Sequence, residues 1–290
     1  MGGLAHGGHA PVLIPLMMGG SALIIGATID SLYGLIPLFG IFCLMVSAFF
    51  ANFWRDPDRP IPRDEGVLVS PADGHVMFIR RERATGRRPN KDEMDSGDCE
   101  SNSLTGDWYP VPLENPLYFE TEQRFEPVKK GEESKKDVYR IAIFMSPLDV
   151  HVNRSPLAGT LHRMEHRAGK GLRRGPFLAA YKKESQYNER VRSVFKGESK
   201  LMVEVTQISG ALARTIVPWL AIDTEVRRGQ RYGMIRLGSR VDIRVPAHSF
   251  MPNVVSAEEQ NSAHPTGEFV RAGSTIPFTP HEESPFLERW

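Results

Sequence analysis

A β-rich α+β fold is what this sequence predicts, an antiparallel, barrel-like sheet system in one domain behind an N-terminal apolar segment. Three observations carry it. Short runs that alternate apolar and polar residues recur between Val67 and Val245, Gly and Pro punctuate them, and helical periodicity is scarce after residue 55. The expected strands cover residues 67–69, 75–79, 138–145, 159–164, 200–206, 215–220, 235–237 and 241–245. No internal repeat is present.

The N-terminus is of another kind. Residues 11–29 are apolar and uncharged, and so are residues 32–51. Each run matches the ~20 residues that an α-helix needs to cross a bilayer. A secretory signal peptide fits poorly, because the first ten residues hold no Lys or Arg and a second apolar run follows at once. A buried helix pair is the alternative. Gly19, Gly20, Gly34, Pro37 and Gly40 weaken regular helix, but membrane segments tolerate such residues. Arg55, Arg59 and Arg63 follow the second run, and positive charge at that place puts the polar domain on the cytoplasmic side of the inner membrane. Only Asp30 and Ser31 separate the runs, so a shallow or re-entrant hairpin stands beside two full spans. Met17, Met18, Phe49, Phe50, Phe53 and Trp54 read as lipid contacts and interface anchors.

Residues 1–54 are thus the anchoring segment, 55–246 the folded domain, and 247–290, rich in Pro, Ser and Glu, a flexible tail. Within the domain, residues 84–136 form a polar insert whose centre, around Trp108 and Tyr118, packs on the sheet or meets the lipid interface. Lys and Arg number 36 against 35 Asp and Glu, a balance that speaks against a nucleic-acid partner. Two cysteines, Cys43 and Cys99, build neither a disulfide framework nor a zinc site, and no other metal motif or Gly-rich dinucleotide loop is present.

The chemistry gathers in a few motifs. Gly238-Ser239 lies between the alternating runs at 232–237 and 241–245. As a dipeptide it is an ordinary loop signal. With a positioned base, however, a serine Oγ can attack the carbonyl before it, and glycine at that position leaves the approach open. Upstream lie Phe53-Trp54-Arg55-Asp56-Pro57, then Ser70-Pro71-Ala72-Asp73-Gly74. Further on come Met145-Ser146-Pro147-Leu148-Asp149-Val150-His151-Val152-Asn153-Arg154-Ser155-Pro156, then Gly175-Pro176-Phe177-Leu178-Ala179-Ala180 and Asn188-Glu189-Arg190. Gln207-Ile208-Ser209-Gly210 and Ala213-Arg214-Thr215-Ile216-Val217 precede the Gly-Ser pair. His151 suits proton transfer near neutrality. Asp73 suits a tight turn or a helper carboxylate. Arg154 can fork onto a phosphate or carboxylate, or form a structural salt bridge. Asp149 reads as a turn or helper carboxylate, and His162 and His166 as solvated or packed strand residues.

In this order, over residues 50–246, these motifs resemble those of the phosphatidylserine decarboxylases. Arg154 stands where longer members carry a second histidine, and Arg240 where they carry threonine, so the likeness is to the short bacterial and archaeal branch. The resemblance implies a β-rich catalytic domain that cleaves itself between Gly238 and Ser239 into a large and a small fragment. It implies a pyruvoyl group made from Ser239 as the cofactor, and conversion of phosphatidylserine to phosphatidylethanolamine and CO2. It assigns catalysis to Ser239 and His151, with Asp73 orienting the base, and it suggests a dimer. A related serine-headgroup lipid such as archaetidylserine is the alternative substrate. A non-enzymatic membrane-anchored β-domain with an inert Gly-Ser pair is the alternative of another class.

Overall fold

The structure is a computed structural model. It describes residues 3–28, 34–83, 99–101, 108–110, 118–120, 137–167, 188–198, 201–210, 215–236, 239–257 and 267–281. Gly238, the block at 175–180 and most of the insert at 84–136 lie outside the described residues. The chain divides into two compact units, Met1–Asp58 with Pro147–Val152, and Arg59–Ser146 with Asn153–Trp290.

The first unit holds β1 (Gly3–Leu4), α1 (His9–Thr28), α2 (Leu35–Phe53) and β2 (Arg55–Asp56), and β1 pairs antiparallel with β2. The two apolar runs are therefore helices, each long and apolar enough to cross a membrane. They pack through small residues. A Cβ on Gly19 would lie 2.9 Å from the Gly40 carbonyl oxygen, so only glycine lets the backbones approach so closely. Ser47 Oγ donates across the pair to the Val12 carbonyl at 2.8 Å, which satisfies a hydroxyl between apolar helices. The outer faces remain apolar and exposed, with Ile14, Met17, Ile24, Leu38, Phe42 and Met45 uncovered. A water-facing helix would carry polar residues there, so these surfaces fit lipid. Arg55 Nη1 donates to the Asn52 carbonyl at 2.8 Å and closes the C-terminal end of α2.

The second unit is built of strands. In chain order they are β3 (Gly74–Arg83), β4 (Cys99–Ser101), β5 (Trp108–Pro110), β6 (Tyr118–Glu120), β7 (Asp137–Met145) and β8 (Val152–Arg154). Then follow β9 (Gly159–Arg167), β10 (Arg190–Lys196), β11 (Met202–Ser209), β12 (Ile216–Pro218), β13 (Glu225–Val226) and β14 (Arg231–Ile235). The last are β15 (Ser239–Pro246), β16 (Phe250–Pro252), β17 (Phe269–Val270) and β18 (Phe278–Pro280). The main sheet runs β13-β9-β10-β11-β15-β7-β3-β17, with β6 also on β3, and β12-β14-β8 form a smaller sheet. The main sheet is antiparallel throughout and ends at β13 and β17, so among the described residues no barrel closes.

Period-two alternation explains the core. Tyr139, Ile141, Ile143 and Met145 of β7 share one face with Val241, Ile243 and Val245 of β15 and Val203 and Val205 of β11. The opposite face is charged yet buried. Asp242 lies between Arg140 Nε at 2.7 Å and Arg240 Nε at 2.6 Å, and the Arg240 guanidinium sits 4.8 Å from the Phe78 ring centroid. Glu204 binds Arg192 Nη2 at 2.9 Å and also Arg244. Burial pushes the Asp242 carboxyl up, and the charges of Arg140 and Arg240 outweigh that and hold it below the usual carboxylate range.

Three expectations are corrected. Residues 67–69 make only a single bridge, Leu68 to Phe278, instead of a strand. β10 was not foreseen, because Arg190 and Arg192 alternate with its apolar residues on the charged face. Residues expected to form a flexible tail supply β16, β17 and β18, with Phe250, Val270 and Phe278 fully buried. Scattered apolar anchors, without periodicity, are enough to fasten that segment.

Gly74 opens β3 with φ at 146°, and a Cβ there would lie 2.0 Å from the Phe144 carbonyl oxygen. Both facts forbid a side chain. Gly74→Ala is expected to destabilise by more than about 3 kcal/mol, whereas Gly3→Ala, with nothing within 4 Å, is expected to be neutral. Melting temperature and yield in detergent compare the two.

Candidate active site

In the first unit, the loop before β8 carries His151. Its side chain is fully buried, with its ring centroid 4.2 Å from that of Phe53 at the end of α2. His151 Nδ1–H donates to the Asp149 carbonyl at 2.9 Å. A carbonyl can only accept, so this bond fixes the proton on Nδ1 and leaves a lone pair on Nε2. Nε2 is buried and without a partner among the described residues. Burial lowers the ring's pKa most, the Asp149 bond opposes this, and the nearby Arg55 charge lowers it further, to about 4. His151 is therefore a neutral, oriented base. The loop is tied to the end of α2 by Arg55, whose Nη2 donates to the Leu148 carbonyl at 2.7 Å.

In the second unit, Ser239 opens β15 on the apolar face. It stands opposite Met145 of β7 on one side and Ser209 of β11 on the other. Its side chain is fully buried, and its Oγ donates to the Met145 sulfur at 3.3 Å, a weak acceptor. Ser209 Oγ and Gln207 Oε1 are also buried on this face, without partners among the described residues. Gln207 Nε2 donates to Asn153 Oδ1 at 2.8 Å, and Asn188 Nδ2 to the Ser209 carbonyl at 2.7 Å. Three polar side chains thus occupy inward positions that alternation assigns to apolar ones. A small group with two carbonyl oxygens in place of Ser239 fits this setting, since the unused Ser209 hydroxyl can donate to it.

Asp73 and Arg154 have defined partners in the same unit. Asp73 binds both Nη atoms of Arg59, at 2.5 and 2.6 Å, and accepts the Ala272 N–H at 2.8 Å. Arg154 is buried and donates through Nη1 to the Gly229 carbonyl at 3.1 Å. The orienting bond expected from a carboxylate is made at His151 Nδ1 by the Asp149 carbonyl. His166 pairs at the surface with Glu189 at 2.9 Å. No group of three or more metal-binding side chains occurs among the described residues. Sequence reasoning placed Ser209, Gln207 and Asn153 within its motifs but gave none of them a role. Ser209 and Gln207 were findable, as polar residues continuing the inward series of Val203 and Val205.

A family model described as phosphatidylserine decarboxylase matches residues 46–277. The chain belongs to the phosphatidylserine decarboxylase family. The match runs past residue 246 to take in β17, in keeping with the ordered strands found there. A phosphatidylserine decarboxylase proenzyme of Streptomyces griseus is 53% identical over 195 residues, 67% of this chain and 62% of that protein. The alignment therefore spans less than two thirds of that relative's length. The proenzyme of Symbiobacterium thermophilum is 33% identical over 205 residues, 70% of this chain and 71% of its own. That of Wolbachia pipientis is 34% identical over 210 residues, 72% and 70% respectively.

His151 has a testable effect on stability. Its folded pKa lies below the unfolded value of 6.5, so the unfolded chain takes up the proton first as pH falls. Its contribution is complete above pH 6.5 and is lost on acidification towards about 4. The loss amounts to about 3 kcal/mol at the acid end. The fall in melting temperature between pH 7 and pH 5 is expected to shrink in His151→Gln, which cannot be protonated.

Proposed function

We propose that this chain is a membrane-bound, self-processing decarboxylase that converts phosphatidylserine to phosphatidylethanolamine and CO2. Family membership supports the substrate and the reaction. The observation that carries the chemistry is Ser239, buried and inward-facing at the start of a core strand, near two polar groups without partners among the described residues. A serine kept only for solubility would face water.

Maturation begins when Ser239 Oγ attacks the Gly238 carbonyl and the acyl group moves from nitrogen to oxygen. Loss of the α-proton of residue 239 then expels the Gly238 carboxylate. The dehydroalanine left behind takes up water and releases ammonia, leaving a pyruvoyl group at the head of the small fragment. That group supplies an electron sink for the bond to the departing carboxylate. Ser209 and Gln207 hold and orient it. His151 accepts and returns protons through Nε2, which stays unprotonated well below neutral pH. Asp73, held by both Nη atoms of Arg59, is a helper carboxylate of the reaction. Arg154 offers its guanidinium to the headgroup phosphate or carboxylate. Residues 1–54 anchor the protein, with the strand-built domain that follows on the cytoplasmic side. The fragments remain associated, because β15 lies between β7 and β11. By family likeness the protein works as a dimer.

The test is release of CO2 from vesicles of carboxyl-labelled phosphatidylserine. Wild-type protein is expected to release it and Ser239→Ala to release none. His151→Ala is expected to lose about a hundredfold or more per matured molecule. Activity in Ser239→Ala would refute the pyruvoyl assignment, and a wild-type rate in His151→Ala would move proton transfer elsewhere.

A further inference from the structure

We propose that the loop carrying His151, residues 147–152, is itself a membrane-contacting element whose tip, Leu148, enters the lipid interface. This rests on the membrane attachment in the reading above, and not on the reaction.

The loop clusters with the two apolar helices and belongs to the same compact unit. Its position is set by one residue. Arg55 directs Nη1 at the Asn52 carbonyl, at 2.8 Å, and Nη2 at the Leu148 carbonyl, at 2.7 Å. One guanidinium thus bridges the C-terminal end of α2 and the loop backbone, so Leu148 lies at the level where α2 ends. For an apolar helix that ends in arginine, that level is the headgroup zone. Leu148 is 65% exposed, and a leucine held out at that depth meets lipid if the helix does. The apolar surface is continuous in kind along α2, with Phe42 61% and Met45 67% exposed, and Phe49 at its end stacked on Phe53. Phe53 in turn packs on His151.

The two ends of the loop therefore have different solvents. Leu148 faces outward, and three residues later His151 is fully buried against the last turn of α2. A bilayer that accepts Leu148 holds the loop at a fixed depth, and the histidine with it. For a substrate whose headgroup stays in the membrane plane, this sets the proton carrier at a constant height.

Depth-resolved quenching tests it. In full-length protein with Cys43 and Cys99 changed to serine, Leu148→Cys is labelled with an environment-sensitive fluorophore. The protein is reconstituted in vesicles of phosphatidylcholine and phosphatidylserine. Strong quenching by lipid spin-labelled near the headgroup end of its acyl chain, with weak quenching by aqueous iodide, is expected. The reverse pattern overturns the proposal. Leu148→Glu in the otherwise unchanged chain is a second arm. The ratio of decarboxylation of vesicle-borne to short-chain, water-soluble phosphatidylserine is expected to fall about tenfold, the scale of one leucine's transfer. An unchanged ratio overturns the proposal. The quenching arm needs no catalysis, so protein that neither cleaves nor decarboxylates would refute the functional reading and leave this one to be decided.

Discussion

The structure depends on the two-residue period of β15. Ser239, Val241, Ile243 and Val245 point to the apolar core, while Arg240, Asp242 and Arg244 point to the charged face. A slip of one residue would turn the serine out of the core and press three charges into it. Asp242 prevents the slip from one side through Arg140 and Arg240, and the packed aliphatic row prevents it from the other. Removing one partner of such a buried pair costs about 3–5 kcal/mol, because the others stay buried without it. Arg240, next to the proposed cleavage position, thus helps fix the strand that carries Ser239.

Ser239 and His151 are both polar groups kept from water, by different means. Ser239 is flanked by strands of the sheet, and among the described residues its Oγ has a thioether as its hydrogen-bond acceptor. His151 is covered by Phe53, and its own loop supplies the bond that selects its tautomer. An unpaired polar atom in such a place carries a desolvation cost, and proteins keep it where chemistry uses it. Nε2 of His151 and Oγ of Ser209, without partners among the described residues, are therefore more informative than the many satisfied groups around them.

Much of this was legible in the sequence. Alternation located β3, β7, β9, β11 and β15, and apolar length located both helices. Ser239 stood out through its place between two alternating runs, and His151 through the motif around it. Other features were hidden for physical reasons. β10 carries Arg192, which looks like a solvent-facing residue but meets the buried carboxylate of Glu204 across the sheet. β16 to β18 lack any period and are each held by one buried apolar residue, Phe250, Val270 and Phe278. The Phe53–His151 contact joins residues 98 positions apart, which no local pattern reports.

The central claim is that Ser239 does not survive as serine in the working protein. Intact mass of the purified chain, taken after denaturation, tests it most directly. The account predicts two fragments, the larger ending at Gly238 and the smaller starting at residue 239 with a blocked, ketone-bearing terminus. A single unbroken chain of 32.5 kDa, or a small fragment that begins with an ordinary serine amine, would contradict it.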